Sequence, residues 1–470
     1  MMNLNSLKNT LYFITLSISL SGCFKGQKVD LIIHNGLINT LNDNKEVHDA
    51  MAIKDGIIVE VGPERQILNK YTANREIDAG SRSVYPNLTD FRTDLFEGVK
   101  QQLALDLTNT NSEEELLVRL EKYDQRFNYN FILAYNLDTT YWNSESKVSN
   151  TRINSLFPDK PVYLVFVKKK TLLLNSYALH KHKIKNSNSL NEFNLIKNQL
   201  PYFNQKVTLK QIDKTLHTFL QYGITNLHVA NVSNEQLKTL KKIESKINLY
   251  PSLRLNSENF NIEDKLTTCF FIDSSNFPNK DNELKFIDFC SIKNKQVYFN
   301  IQDTIQLLKA IDLCKKMNEI KKDHRWIINY PFNLSDQNLE AIYKYGIFLS
   351  FSPSDIIQNN NNYNYSKTLQ SLGLYLISSN FPTNDLYSYE VIQNATTPNN
   401  NNSLNIFQTM KGYCYWSTFA MFKEANLGTL EKGKEASFVI FEKPLKQNIQ
   451  LNSNYAKYVY QKGVNIYNID

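Results

Sequence analysis

Short stretches at both ends of the chain alternate hydrophobic with polar residues. Near the N-terminus the alternation continues across a turn at Asp55-Gly56, and near the C-terminus it recurs at residues 436–441 and 458–463. A two-residue period is typical of strands with one buried face. Because neither end has enough strands to cover a core alone, we predict one small β-sandwich built from residues 28–85 plus 426–470.

Residues 86–425 instead carry continuous apolar runs separated by longer segments of helical periodicity. Continuous apolar runs predict strands buried on both faces, and such strands joined by helices form a parallel sheet. The number of runs predicts an α/β fold with a closed (β/α)8 TIM-like barrel. A doubly wound sheet is the alternative, but no glycine-rich phosphate-binding loop follows any run. The predicted strands are residues 131–134, 162–167, 224–229, 266–272, 284–289, 296–301, 325–328, 347–351 and 374–377.

The amino-acid composition restricts the classes of binding partner and does not distinguish between folds. The 53 basic residues exceed the 46 acidic ones by 7, which is a mild excess for 470 residues. Binding of single-stranded nucleic acid needs a basic groove lined with aromatic side chains. No basic run of this chain alternates with aromatic residues, so we expect no nucleic-acid partner.

The N-terminus has the shape of an export signal. Lys8 precedes an apolar run at residues 11–20, which is too short to span a bilayer as a mature helix. The ending Leu20-Ser21-Gly22-Cys23 resembles a bacterial lipobox, which implies a signal peptide at residues 1–22 and a lipid on Cys23. An ordinary secretory signal is the alternative. We therefore expect a bacterial cell-envelope protein that is anchored to a membrane through Cys23.

Four further cysteines lie among apolar or aromatic neighbours. This environment favours buried free thiols, although one disulfide stays possible in an oxidising compartment. Because the chain contains no Cys-x-x-Cys motif, we predict no structural zinc site. These cysteines are Cys269, Cys290, Cys314 and Cys414.

The segment Val84-Tyr85-Pro86-Asn87-Leu88-Thr89-Asp90-Phe91-Arg92-Thr93-Asp94 resembles the first barrel strand of the amidohydrolase superfamily. That strand normally has the sequence Pro-Gly-Phe-Ile-Asp-x-His-x-His. The likeness extends from about residue 30 to residue 463 and is greatest to the third amidohydrolase family. The resemblance implies a TIM barrel, a divalent metal such as zinc, and hydrolysis of carbon–nitrogen bonds other than peptide bonds.

The same resemblance implies that the metal site is degenerate. Arg92 and Asp94 occupy the two histidine positions of the first strand, and Phe299 and Ile328 occupy two later metal positions. Asn380 occupies the position of the catalytic aspartate. An arginine has no lone pair for a metal and an amide has no usable basicity, so only Asp94 could be a ligand. We therefore expect no metal cofactor and no confident catalytic residue.

The cations that replace the metal ligands suggest a different ligand. Arg92, Lys168 and Lys170 are predicted to lie at the barrel mouth, with Asp94 holding Arg92 in place. Fixed cations bind carboxylate, phosphate or sulfate without a metal. Asn380 is a further candidate contact. The alternative is that the run Lys168-Lys169-Lys170 is simply solvated.

Two histidines lie on the predicted barrel strands, His228 and His324. His228 is a candidate ligand contact, but for both residues a hydrogen-bonded structural role is favoured over metal binding.

These observations leave two functional hypotheses. The first is a lipid-anchored, non-catalytic amidohydrolase-like protein that binds either a small ligand, with an anion as one candidate, or an envelope partner. The second is an active hydrolase of carbon–nitrogen bonds with an atypical metal site. The number of protein ligands to a metal distinguishes them, since a site of this kind needs three or more.

Overall fold

The structure is a computed structural model that describes residues 26–140, 142, 148, 150–166, 171–184, 200–256, 269–358, 373–397, 403–446 and 454–469. Cys23, the predicted signal peptide, Lys168 and Lys170 lie outside these residues. The described chain packs into two units, one of mainly β structure at the two ends and one formed by residues between 88 and 420. Within the described residues, no helix is both long enough and apolar enough to cross a membrane.

The secondary structure elements are numbered along the chain. The strands are β1 Gln27–His34, β2 Leu37–Asn39, β3 Val47–His48, β4 Ala50–Lys54, β5 Ile57–Gly62, β6 Tyr71–Asp78, β7 Ser83–Pro86, β8 Leu88–Thr93, β9 Leu105–Asp106, β10 Ile132–Tyr135, β11 Val162–Phe166, β12 Thr171–Leu174, β13 Ile224–Val232, β14 Asn248–Arg254, β15 Cys269–Ile272, β16 Gln296–Asn300, β17 Ile327–Asn329, β18 Phe348–Phe351, β19 Tyr375–Ile377, β20 Phe438–Phe441, β21 Ala456–Gln461 and β22 Val464–Asn468. The helices are α1 Glu64–Lys70, α2 Leu95–Leu103, α3 Glu113–Phe127, α4 Asn150–Leu156, α5 Ser176–His182, α6 Gln205–Gln221, α7 Asn234–Leu240, α8 Glu283–Ile292, α9 Thr304–Ile320, α10 Asp336–Lys344, α11 Pro353–Gln358, α12 Ser388–Thr396, α13 Ile406–Met410, a π-helix Lys411–Tyr415 and α14 Trp416–Ala420.

The β unit contains two sheets, with strand orders β5-β4-β1-β6 and β22-β21-β20-β7-β2-β3. In the second sheet β20 pairs antiparallel with β7, so strands from the two ends of the chain share one sheet. Its core joins side chains of both sheets, including Ile33 and Met51 from the first and Phe438 and Tyr460 from the second. The predicted β domain built from both ends is confirmed.

The other unit contains an eight-stranded parallel sheet in the order β8-β13-β14-β15-β16-β17-β18-β19. Its first and last strands meet, because Thr93 forms a parallel bridge with Phe381. The backbone N–H of Ser379 also donates to Asp90 Oδ2 at 3.1 Å. The sheet is therefore a nearly closed barrel, which confirms the predicted TIM-like fold.

Two of the predicted barrel strands belong to a different sheet. Residues 131–134 and 162–167 correspond to β10 and β11, which form the sheet β9-β10-β11-β12 inserted between β8 and β13. Alternate residues of β10 enter two separate apolar clusters, Leu133 on one face and Ile132 on the other. A sheet covered on both faces has the same continuous apolar sequence as a barrel strand, so the sequence could not separate them.

The strand predicted at residues 284–289 is wrong, because these residues lie in helix α8. Phe286, Ile287 and Cys290 face the interior at helical spacing, whereas Leu284 and Ile292 on the opposite side are 68% and 75% exposed. A short apolar run does not distinguish a strand from a half-buried helix. The helix supplies the crossover between β15 and β16.

The four cysteines of the described chain are confirmed as buried free thiols.

Candidate functional site

The candidate site is the mouth of the barrel, where the parallel strands end. Active sites of such barrels lie at the C-terminal ends of the strands. Polar side chains from β8, β16, β17 and the segments after β18 and β19 gather there. They are Arg92, Asn300, Asn329, Asp355, Asn380 and Asn384.

A β-bulge near the end of β8 positions Arg92. Leu227 of β13 pairs with Asp90 and Val229 pairs with Thr93, so β8 has one extra residue over this interval. A bulge bends its strand and redirects a side chain. Phe91 packs inside the barrel, and the next residue, Arg92, extends to the barrel mouth.

Stacked aromatic rings fill the barrel beneath the mouth. Phe91 stacks on His228 with ring centroids 4.7 Å apart, and His228 lies 5.3 Å from Tyr298. Phe271 stacks on the other side of Tyr298 at 5.9 Å. The Tyr298 hydroxyl donates to Ser350 Oγ at 3.2 Å. We call these four rings the aromatic floor.

Arg92 is half-buried above this floor. When the Asn329 amide is oriented to satisfy its neighbours, its oxygen accepts a hydrogen bond from Arg92 Nη1 at 3.3 Å and its nitrogen donates to the Ser350 carbonyl at 3.1 Å. Asn300 lies 3.1 Å from the same amide. Within the described residues no carboxylate forms an ion pair with Arg92.

Asp355, at the start of α11, is held by two amides. Its Oδ2 accepts from Asn380 Nδ2 at 2.6 Å and its Oδ1 accepts from Asn384 Nδ2 at 2.7 Å. Burial raises the pKa of the Asp355 carboxyl, while the positive charge of Arg92 and the two amides oppose that rise. Asn380, predicted at the position of the catalytic aspartate, is therefore a hydrogen-bond donor to a neighbouring carboxylate.

The expectation that Asp94 holds Arg92 is wrong. Asp94 Oδ1 accepts from the Glu97 backbone N–H at 3.2 Å and so caps the N-terminus of α2. Its Oδ2 accepts from Asn231 Nδ2 at 3.3 Å, and Asn231 Oδ1 accepts from Arg254 Nε at 2.7 Å. The bulge and the start of the helix separate the two side chains, so Arg92 and Asp94 enter different networks.

Phe299 and Ile328 do not lie at the mouth. Phe299 packs on Phe277 and Trp326 at 5.9 Å each, and Trp326 packs on Phe286 of α8, which places Phe299 on the helix-facing side. By strand alternation Ile328 shares that side with Trp326. The mouth instead receives the next residue of each strand, Asn300 and Asn329.

His228 is buried, but it is not hydrogen-bonded as predicted. Neither ring nitrogen has a hydrogen-bond partner in the described part of the chain. Burial lowers the pKa of His228 to about 4. His324 does have the predicted hydrogen-bonded structural role, because Nδ1 accepts from the Trp326 N–H at 2.9 Å and Nε2 lies 2.9 Å from the Tyr345 carbonyl.

The donor set at the mouth does not fit a divalent metal. No group of three or more His, Cys, Asp or Glu side chains is placed to hold a metal ion within the described ranges. The positive charge of Arg92, which the sequence resemblance assigns to the position of the first histidine ligand, lies beside the amide of Asn329.

Sequence reasoning found Arg92 and Asn380 but missed Tyr298, Asp355, Asn231 and Arg254. Asp355 and Arg254 lie outside the positions that the family motifs mark. Arg254 had one weak signal, since it is a cation that ends the apolar strand β14.

Several solved structures share the fold of this chain. An uncharacterised metal-dependent hydrolase of Pyrococcus furiosus matches with a TM-score of 0.70 at 18% identity, over 87% of this chain and 98% of that one. Another, from Pyrococcus horikoshii OT3, matches with a TM-score of 0.71 at 16% identity, over 90% and 99%. A zinc-bound adenosine deaminase of Xanthomonas campestris matches with a TM-score of 0.57 at 13% identity, over 94% of each chain. The chain thus has the amidohydrolase fold that its sequence predicted.

Two curated proteins are similar over part of their sequence. YtcJ of Bacillus subtilis, whose name assigns it to the amidohydrolases, is 24% identical over 32% of this chain and 28% of that protein. Protein LONG AFTER FAR-RED 3 of Arabidopsis thaliana is 28% identical over 37% of this chain and 30% of that protein. The similarity spans less than a third of either relative. No family model matches the chain.

Proposed function

We propose that this chain is a non-catalytic protein with an amidohydrolase fold whose barrel mouth binds a small anion. The observation that carries the proposal is the half-buried Arg92 side chain, whose Nη1 lies 3.3 Å from the Asn329 amide and which has no carboxylate ion pair among the described residues. A partly desolvated guanidinium favours a carboxylate, phosphate or sulfate, which it can bind through two parallel hydrogen bonds.

Metal-dependent hydrolysis would need groups that this mouth lacks in the described residues. A metal-bound water must be held by several basic ligands and deprotonated by a carboxylate. Asn380, which the sequence resemblance assigns to the position of that carboxylate, donates its amide hydrogen to Asp355. His228, one of the four rings of the aromatic floor, packs against Phe91 and Tyr298. These features support binding rather than water activation.

Calorimetry with acetate, sulfate and inorganic phosphate tests the proposal. We expect at least one of these probes to bind the wild type, and Arg92→Gln to weaken it by about tenfold or more, which corresponds to about 1.4 kcal/mol or more. Arg65→Gln, an exposed arginine on α1 of the β unit, is the matched control and should bind as the wild type does. Equal affinities of wild type and Arg92→Gln would overturn the proposal.

Lys168 and Lys170 remain proposed contributors to the same anion site. Adding Lys170→Ala to Arg92→Ala should lower the affinity beyond the single change if the lysine faces the ligand. A double variant identical to Arg92→Ala would remove Lys170 from the site.

The second candidate function is hydrolysis of carbon–nitrogen bonds other than peptide bonds, with a divalent metal. The fold match to a zinc-bound adenosine deaminase favours it. Elemental analysis of protein purified without chelator, followed by hydrolase assays with added zinc, separates the two candidates. About one tightly held metal per chain would contradict the non-catalytic proposal.

A further inference from the structure

We propose that Arg254 is a second anchor in the barrel mouth, so that the ligand carries an anionic group at each end, as a short dicarboxylate does. This inference rests on the proposed function, because Arg92 is taken to hold the first anionic group. Arg254 is the last residue of β14 and is half-buried at the same C-terminal side of the barrel.

The Arg254 side chain is held in place by an uncharged amide and not by a carboxylate. Its Nε donates to Asn231 Oδ1 at 2.7 Å, which fixes one edge of the guanidinium. Asn231 has a positive φ of 61° and donates its own amide hydrogen to Asp94 Oδ2 at 3.3 Å. In the described part of the chain, the two terminal nitrogens of Arg254 have no hydrogen-bond or ion-pair partner. They present two donors to a carboxylate.

The spacing of the two arginines favours an elongated ligand. β13 lies between β8 and β14, so the backbones that carry Arg92 and Arg254 are about 10 Å apart across the sheet. A chain of several carbon atoms can span that distance between two carboxylates, whereas a compact anion such as sulfate can contact only one end.

The barrel lining beneath and between the two arginines is apolar. It includes Ala230, a small side chain on β13, and the stacked rings of Phe91 and His228, all of which are buried. His228 is only 3% exposed and both its ring nitrogens lack a hydrogen-bond partner among the described residues. Methylene groups can pack on such rings without losing hydrogen bonds.

Two carboxylates in the same mouth limit where an anion can bind. Asp94 accepts from the Glu97 N–H and Asn231, and Asp355 accepts from Asn380 and Asn384. Because these acceptors are held in place, they repel an anionic group that is not directed at an arginine.

The test compares α,ω-dicarboxylates from succinate to suberate with straight-chain monocarboxylates of equal length, by calorimetry on the full chain at low ionic strength. In the wild type we expect one dicarboxylate to bind at least about tenfold more tightly than its monocarboxylate counterpart. Arg254→Gln should remove this preference while changing monocarboxylate affinity less than about twofold. Arg254→Lys keeps the charge but not the two-donor geometry and should weaken dicarboxylates only.

The outcomes separate this inference from the proposed function. Equal binding of dicarboxylates and monocarboxylates by the wild type, with both lost in Arg92→Gln, overturns the second anchor and leaves the anion site standing. Absence of binding by every probe, or binding that Arg92→Gln leaves unchanged, overturns the proposed function. Melting curves without ligand show whether the variants fold, and if Arg254→Gln does not, the wild-type comparison and Arg254→Lys decide.

Discussion

His228 is a base that its surroundings keep neutral. Its ring lies between Phe91 and Tyr298, and burial lowers its pKa from the ordinary 6.5 to about 4. The folded protein therefore binds fewer protons at this residue than the unfolded chain does between these pH values. It follows that the stability associated with neutral His228 is present above pH 6.5 and is lost as the pH falls towards 4.

The first prediction concerns His228→Phe, which keeps the stacking and removes the titration. The free energy of unfolding of the wild type, relative to that of the variant, should fall by about 1.4 kcal/mol per pH unit between pH 6.5 and 4.5. Denaturant titrations of both proteins across this range measure it. Taking the difference between the two unfolding free energies removes the contribution of groups that titrate in both proteins. Asp90 is such a group, since burial raises its pKa to about 6. A pH-independent difference would contradict the prediction.

The second prediction concerns Gly98 on α2. A Cβ built at this glycine would lie 1.9 Å from Cε1 and 2.4 Å from Cζ of Phe381, whose ring packs against Phe219 at 5.8 Å. Gly98→Ala should therefore destabilise the protein by about 1–3 kcal/mol, despite the better helix propensity of alanine. Because Phe381 follows Asn380, anion affinity should fall as well.

Phe381→Leu provides the control for Gly98→Ala. Combined with the alanine, it should restore part of the stability lost, since the smaller side chain leaves room for the new methyl group. Strict additivity of the two changes in thermal and denaturant melts would show that the clash with Phe381 is not the cause.

Two sequence patterns made secondary structure predictable. Alternating apolar and polar residues marked strands with one buried face, and apolar runs between helical segments marked barrel strands. The sequence located β13 and the barrel strands from β15 onward because each is an apolar run between helical segments, but it missed β14. It could not assign β10 and β11 to their own sheet, since both faces are covered there as in the barrel. Register failed for the same reason, because apolar side chains on both faces do not reveal that Asn329, and not Ile328, faces the mouth.

The site was predictable only where the family motif marks a position. Arg92 and Asn380 were found because the sequence resemblance aligns them with residues whose chemistry is known. The partner of Asn380, Asp355, comes from a helix after the neighbouring strand, and no local sequence signal connects the two. The network of Asn231 and Arg254 depends on a positive φ at Asn231, which sequence periodicity does not reveal.

The third prediction concerns Asn175, which joins the inserted sheet to α5. Its buried side chain accepts from the Val162 and Ala178 N–H groups at 3.0 Å each, and donates to the carbonyls of Phe157 at 3.1 Å and Lys160 at 2.9 Å. Asn175→Ala leaves these four groups unsatisfied and should cost about 3–5 kcal/mol of unfolding free energy. Ser176→Ala at the next position, the control, should cost less than about 1 kcal/mol in the same melts. Similar losses in the two variants would contradict this.

The β unit is discontinuous in sequence, because its strands come from both ends of the chain. Strands β7 and β20 share a sheet although the barrel unit lies between them in sequence. Such a topology requires contacts between residues more than 300 positions apart, as in the pairing of Val439 with Tyr85. We therefore expect truncation at either end to disrupt the β unit, since it removes strands from a shared sheet.

The fourth prediction concerns the attachment of the chain to a membrane. Cys23→Ala should abolish lipid labelling and leave the protein either unprocessed or released from the membrane fraction, because the thiol is the proposed acylation point. Ser21→Ala keeps a small residue before an intact Cys23 and should remain labelled. Labelling and fractionation of Cys23→Ala that equal those of the wild type would end the lipoprotein interpretation.

The aromatic floor also limits the evolutionary routes open to this barrel. A lineage that acquired histidines at positions 92 and 94 would still have Phe91 and Tyr298 packed beneath them and Asn380 in place of a proton acceptor. No single substitution gives a functional metal centre, because its members act as a unit. Intermediate sequences would carry the cost of disrupted stacking without a gain in activity. If the mouth binds an anion as proposed, selection has a shorter route to refining that binding than to assembling a metal site in a barrel already filled with aromatic rings.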